Sequence, residues 1–349
     1  MRCREATLYD GKVLRAPWRL ITAGRLLALG LLLLVTAAVL WAVPSREYIF
    51  LPDRAHPVAP LVRVAGGRDP GHRGGIYFVD VIVRKASLLE RLFGGLHDGA
   101  SLYPASAIVP HGVSETKQQQ LDQDEMRLSQ QNAAAVAFDA LGSKVPSSVS
   151  GALIASIEKG FPAQGHLRRG DVIVAVDGSR VRSPEDVSRT MRAKSPGTRV
   201  TFAIHRGGKT SAVTLRTVPA GHGSRRGIVG VLLNQAGVSF DANGVGGPSA
   251  GLAFALEILE QLGRNVDHGH KIAATGEIWP NGSVHPIGGI EQKTIGAREA
   301  GGDAFLVPAG QNARDARRYA KGLRIIAVKS FQQALHALAT LPPATASAS

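Results

Sequence analysis

The sequence predicts an α+β domain that is interrupted by a small β-rich module and preceded by one membrane-spanning helix. Three observations carry this reading. Leu26 to Val43 is an uncharged, mostly apolar run of 18 residues. The texture of the chain changes at about residue 146 and again after about residue 225. The strand and helix expected before the first change have no partners unless they join the sheet expected after the second.

The 349 residues leave room for two folded units and extras, and a hydrophobic content of 44% is ordinary for a globular chain. The net charge of +14 raises the question of a nucleic-acid partner. No stretch interleaves Lys/Arg runs with aromatics, so the charge reads as an Arg-rich, Ala-rich composition and no nucleic acid is expected. Cys3 is the only cysteine, which excludes a disulfide framework and a Cys-ligated metal.

At about 1.5 Å per residue, the apolar run from Leu26 reaches about 27 Å, enough to cross a bilayer core. Trp18 and Trp41 flank it, where aromatic belts lie. Arg2, Arg4, Lys12, Arg15, Arg19 and Arg25 precede it, and the basic residues after it are sparser. This asymmetry predicts a single-pass protein with residues 1–25 in the cytoplasm, a span at 26–43 and everything later outside. The alternative is a cleaved signal peptide. The long basic stretch and the poor cleavage site Ala42-Val43-Pro44 favour a retained anchor.

Residues 44–59 are expected as a tether, with a first strand near Leu61–Val64. Ile76 to Val83 alternates with period two and reads as one strand, and Ser87 to Phe93 as a short helix. Residues 114–126 are polar, and 127–141 form a helix stopped by Gly142. In the module, taken as residues 145–220, the order reads strand, strand, helix, strand, strand. Ser183-Pro184 starts the helix as cap and first position, and Gly207-Gly208 turns a hairpin. After residue 222 come a strand in "GIVGVLLN", a helix in "PSAGLAFALEILEQLG" and a hairpin in "KIAATGEIWPNGSVHPIGG". Helix "IEQKTIGAREAGG", strand "DAFLVP", helix "NARDARRYA", strand "RIIAVKS" and helix "FQQALHALATL" follow, with a disordered tail at 342–349.

The stretch "GVGGPSAGLAFALEIL" sets Ser249 just inside a helix start. Pro248 already occupies the favoured first position, and Gly247 and Gly251 let the backbone approach a neighbour closely. Ser249 can therefore be a residue that satisfies orphan amides, or a nucleophile beside amides able to hold an oxyanion. Gly247 to Gly251 also matches G-x-S-x-G, the elbow of Ser-His-Asp α/β-hydrolases. That elbow needs a strand leading into the serine, and here a loop sequence leads in. His268, His270, His285 and His336 are the histidines downstream, with no convincing partner among them. A lysine of lowered pKa can replace a histidine as base. Lys293 sits near a helix start after Gly288-Gly289, with apolar Ile290, Ile295 and Ala297 around it.

"GPSAG" at 247–251, "TGEI" at 275–278 and "PIGGIEQK" at 286–293 resemble, in that order, the signatures of the Lon protease proteolytic domain. "GGDAFLVP" at 301–308 resembles that domain's next strand. Residues 145–220, with "GDVIVAVDG" at 170–178, resemble a PDZ domain. Together with the span, the chain looks like the membrane-anchored PDZ-containing Lon-like proteases of bacteria.

The resemblance implies an α+β Lon-type proteolytic domain built from 60–142 and 222–341, with the PDZ domain inserted. It implies Ser249 as nucleophile, Lys293 as general base, Thr275 as a residue orienting the lysine, and Gly247 and Pro248 as supports of the serine turn. It also implies peptide or protein substrates, and a possible homo-oligomeric ring. The PDZ groove is expected to bind a substrate C-terminus as an added strand, with Ser150, Gly151, Ala152 and Leu153 meeting the carboxylate. The expected location is a bacterial plasma membrane, with the catalytic and PDZ domains extracytoplasmic. Neither a cofactor nor a metal is expected. Many Lon proteases carry an Asp where Gly246 stands, which leaves a non-catalytic PDZ adaptor with a degenerate Lon domain as the rival reading. No G-x-x-x-x-G-K-[ST] occurs; "GGKT" at 207–210 has Ala203 where the first Gly belongs, so ATP-independent hydrolysis is expected.

Overall fold

The computed structural model describes residues 23–68, 74–109, 112–142, 150–221, 223–241, 246–342 and 344. The expectations for residues 1–22 and 345–349 fall outside them. The first element is helix α1 (Ala23–Ala42), whose side chains are almost all exposed, as expected of a helix that presents apolar residues all round. Among the described residues it is the one helix long and apolar enough to cross a membrane.

The expected tether is instead structured. Pro44–Pro52 is a nine-residue strand that pairs antiparallel with Val81–Ser87 on one side and Ser101–Pro104 on the other. It buries Ser45 and Ile49. Its prolines stand at the ends, where the missing N–H breaks little of the ladder, so they bracket the strand rather than forbid it. The run read as one strand from Ile76 is two. Gly75–Phe78 lies in a five-stranded sheet and Val81–Ser87 in the three-stranded one, with Val79 and Asp80 at the corner. Alternation with period two does not reveal a corner between strands that keep the same phase.

Ser87 caps α2 (Leu88–Leu92) in a capping box with Glu90. After α3 (Ala105–Ile108), α4 spans Glu115–Leu141 and so begins twelve residues before the expected helix at 127. Ser114 Oγ accepts from Lys117 N at its start. The polar first half is rich in good helix formers, Lys117, Gln118, Gln119, Gln120, Gln123 and Glu125 among them, which hold a helix on an exposed face without apolar periodicity.

The inserted module is a sheet ordered Lys209–Arg216, Arg199–Arg206, Val172–Val176, Ala152–Ile157, Val231–Gln235, with α5 (Pro184–Arg192) against it. Ile154, Ile173, Phe202 and Ile204 fill its core, with Val187 and Met191 from α5. The last strand corrects the expected boundary at 220: Val231–Gln235 completes this sheet and Val229 joins its core. Three residues later Val238–Phe240 pairs with Val62–Val64, so the chain returns to the outer domain there.

In the outer domain α6 (Gly251–Gln261), buried throughout, packs against α4. The sheet order is His56–Pro57, Gly75–Phe78, Lys271–Ala274, Ala304–Pro308, Arg324–Val328, parallel except at the first pair. Strand Gly75–Phe78, from before the insertion, thus pairs with Lys271–Ala274, from after it. The hairpin expected over 271–289 shrinks to Glu277–Ile278 with Val284–His285. In Lys271–Ala274 the last three residues are apolar and buried instead, as a parallel central strand requires. Helices α7 (Ile290–Glu299), α8 (Gln311–Tyr319) and α9 (Phe331–Ala339) complete the fold.

Candidate active site

Gly247 turns the chain with φ of 79°, a value that favours glycine, and Pro248–Ala250 form a single 3₁₀ turn that runs into α6. Ser249 rides on this turn. Gly247 N donates to Asp122 O at 3.0 Å, and Ser129 Oγ donates to Pro248 O at 2.8 Å, both from α4. Gly276 N donates to Ser249 O at 2.8 Å, and Gly276 O accepts from Leu252 N at 3.1 Å. The serine turn is therefore tied to α4 on one side and to the loop after Lys271–Ala274 on the other. Gly251 permits this: a Cβ there would stand 2.6 Å from Ser129 Oγ and 2.8 Å from Ile278 Cγ2.

Lys293 enters from the first turns of α7. Its Nζ is 2.7 Å from Ser249 Oγ and 3.4 Å from Thr275 Oγ1. Thr275 is fully buried and its hydroxyl donates to Ser249 O at 3.2 Å. Lys293 is only 4% exposed. Burial lowers its pKa from 10.5 to about 8, against the opposing pull of the Asp80 carboxylate. Asp80 in turn is raised, chiefly by its own burial and then by Asp53. An amine neutral near working pH, in contact with a hydroxyl, can take that hydroxyl's proton.

Among the described residues no histidine is hydrogen-bonded to Ser249. His285 bonds Ser283 and stacks on Trp279, and His270 meets the Pro342 carbonyl. This, with Gly246 and Gly247 directly ahead of the serine turn lying in no strand, sets aside the Ser-His-Asp reading. At Gly246 an added Cβ would stand 3.2 Å from the Asp122 Cβ, so a side chain there would crowd Asp122. Asp80, Asp122 and Ser129 are absent from the sequence reading. Asp80 hides at a strand corner, Asp122 in the polar start of α4 and Ser129 midway along it, and only folding sets the last two against the serine turn and Asp80 within reach of Lys293. Asp53 and His56 join Asp80, with one ligand atom of each within 4.8 Å of the others, where the sequence suggested no metal ligands.

The setting of the PDZ-side residues differs from expectation. Gly151 N donates to Arg182 O at 2.9 Å. Ala152 and Leu153 are paired on both sides, to Ile173 and Val172 and to Gln235 and Asn234. An interior strand has no row of groups to offer an added peptide. Val231–Gln235 is one of the two terminal strands of this sheet, Lys209–Arg216 being the other, and a cavity of about 600 Å³ beside Val231–Gln235 is lined by Val231, Leu233, Ser183 and Asp186 with Leu128 and Gln131 of α4.

An α+β domain that holds a serine hydroxyl against a buried lysine amine has the architecture of a serine peptidase. Residues 241–340 match the Lon protease (S16) C-terminal proteolytic domain, and residues 131–217 match the PDZ domain. The chain carries both domains. "Lon protease 2" of Bacillus subtilis is 36% identical over 99 residues, 28% of this chain and 18% of that protein. "Lon protease 1" of Sorangium cellulosum is 47% identical over 68 residues, 19% of this chain and 8% of that protein. The chain thus spans less than a fifth of the length of these relatives. The PDZ domain of an SdrC-like protein from Listeria monocytogenes superimposes with a TM-score of 0.24 and 21% identity, covering 26% of this chain and 93% of that one.

Proposed function

We propose that this chain is a membrane-anchored endopeptidase that hydrolyses peptide bonds of extracytoplasmic proteins, with Ser249 as nucleophile and Lys293 as general base. The observation that carries the reading is the 2.7 Å approach of a buried lysine amine to Ser249 Oγ. Neutral Lys293 takes the Oγ proton as Oγ bonds to the carbonyl carbon of the scissile peptide. Amides of Ser249 and its neighbours at the helix start hold the oxyanion. The C–N bond then breaks, and Lys293 passes its proton to the leaving amine. A water deprotonated by Lys293 attacks the acyl-serine ester, the product carboxylate leaves, and Lys293 returns the proton to Oγ. Thr275 keeps the amine and the serine turn in register throughout.

The lack of a G-x-x-x-x-G-K-[ST] motif in these 349 residues supports hydrolysis without ATP. The basic residues ahead of α1 support an N-terminus in the cytoplasm and the catalytic domain outside the plasma membrane. The PDZ domain selects substrates by a C-terminal segment added as a strand, at Val231–Gln235 rather than at Ser150–Leu153. Assembly into a ring rests on the resemblance to Lon domains alone.

Unfolded casein and a fluorophosphonate probe test the reading on the detergent-solubilised chain. The native protein cleaves and labels equally with and without Mg-ATP, and Ser249→Ala does neither. An inert native protein favours the PDZ adaptor reading, and cleavage by Ser249→Ala removes Ser249 as nucleophile.

A further inference from the structure

The join between α1 and the outer domain is short and rigid. One residue, Val43, separates the helix from strand Pro44–Pro52. Its carbonyl accepts from Leu88 N, the first residue of α2, at 2.9 Å. The Trp41 and His97 rings meet at 6.1 Å. The end of α1 is thereby docked on α2 and on the loop that follows it.

That docking point has an inner and an outer side. Inside, Glu90 is 1% exposed and gathers its surroundings. Arg84 donates to it twice, at 2.6 and 3.0 Å, Ser87 N donates at 2.8 Å, and His97 Nε2 lies 2.7 Å away. The last partner is in the loop itself, so the loop is held from beneath. Outside, Leu92, Phe93 and Leu96 are 64%, 59% and 48% exposed, and Trp41 is 50% exposed. Arg46 and Arg91 are exposed, one four residues past the helix end and the other within α2, where it pairs with Glu47 at 3.4 Å. Apolar side chains held outward on a fixed base, with aromatic and basic residues mixed in, are the composition of a surface that rests in the headgroup region of a bilayer.

We infer that Leu92, Phe93 and Leu96, with Trp41, form a foot that enters the lipid interface beside the end of α1, with Arg46 and Arg91 at the headgroups. The inference rests on the membrane-anchored reading above. It commits to lipid because the patch is continuous with the apolar surface of α1, which a second copy of the domain does not explain. The foot sets the outer domain at one height and tilt over the bilayer, since Val43 leaves no slack.

The test uses the full chain carrying Trp18→Phe, Trp41→Phe, Trp279→Phe and Phe93→Trp, in phosphatidylcholine vesicles with a minority of phosphatidylglycerol. Acyl chains are brominated in a parallel sample. Flotation with the vesicles at high salt reports the anchor. Bromine at least halves the emission at position 93 if the foot is in lipid, whereas a matching Leu232→Trp probe on the PDZ domain is left nearly unchanged. Flotation without quenching at 93, or equal quenching at 93 and 232, overturns the foot and leaves the anchor standing. A blue-shifted emission at 93 that bromine does not quench shows a protein neighbour and also overturns it. Failure to float overturns the anchor and the foot together.

Discussion

Lys293 Nζ lies 2.7 Å from Ser249 Oγ although 44 residues separate them in the chain. The two come from the starts of different helices, and neither helix alone accounts for the contact. Their chemistry makes the first predictions.

Lys293→Arg and Lys293→Met are expected to lose peptide cleavage by about 100-fold or more, since each removes the proton acceptor in a different way. A lysine held at about 8 instead of 10.5 costs on the order of 3 kcal/mol of stability at neutral pH. Lys293→Met removes that cost and is expected to melt at or above the native temperature. Cleavage assays and thermal melts read both effects, and an active Lys293→Arg removes Lys293 as base.

Two pH effects follow from the same lowered pKa. Activity is expected to rise with pH through about 8 as the amine loses its proton, which a kcat/KM profile against pH checks. Stability behaves likewise: the unfolded chain keeps the proton to about 10.5 while the folded one releases it near 8, so this group's penalty is complete below about 8 and fades as pH climbs between those values. Asp80 pulls the lysine pKa upward. Asp80→Asn should therefore move the acid limb of kcat/KM to lower pH, and an unmoved limb shows that the two groups are not coupled.

Thr275→Val removes the hydroxyl shared between Lys293 and Ser249 O. A buried polar partner left unmet costs about 1–3 kcal/mol, so kcat should fall roughly 5- to 150-fold. Thr275→Ser keeps the hydroxyl and should recover most of the rate. Equal losses in the two variants would point to packing of the methyl group instead.

Gly251→Ala puts a Cβ 2.6 Å from Ser129 Oγ. Overpacking of about 1–3 kcal/mol is expected, read as a lower melting temperature together with lost labelling of Ser249. Adding Ser129→Ala relieves part of it; a double variant no better than the single one places the strain at Ile278.

The module boundary is open to a deletion test. Removing 146–219 strands Val231–Gln235, which pairs with Ala152–Ile157. Removing 146–236, with a short linker, is expected to leave a more stable outer domain, because Val238–Phe240 and its partner Val62–Val64 are kept. Thermal melts of the two deletions decide it, and a higher melting temperature for the shorter deletion refutes the new boundary.

From the sequence alone one could read the apolar span, the two changes of texture, the helix starts at Ser87 and Ser183, and the motifs holding Ser249, Thr275 and Lys293. These are legible because each is written in neighbouring residues: a long apolar run, a cap, or a glycine turn before a helix. Tertiary structure alone decided that Pro44–Pro52 is a strand, that Ile76–Val83 bends between two sheets, and that Val231–Gln235 closes the PDZ sheet. It alone brought Asp122 and Ser129 to the serine turn, set Asp80 within electrostatic reach of Lys293 and buried Lys293. Strand pairing and desolvation arise between segments distant in the chain, and local periodicity and charge carry no record of which distant segment will supply the partner.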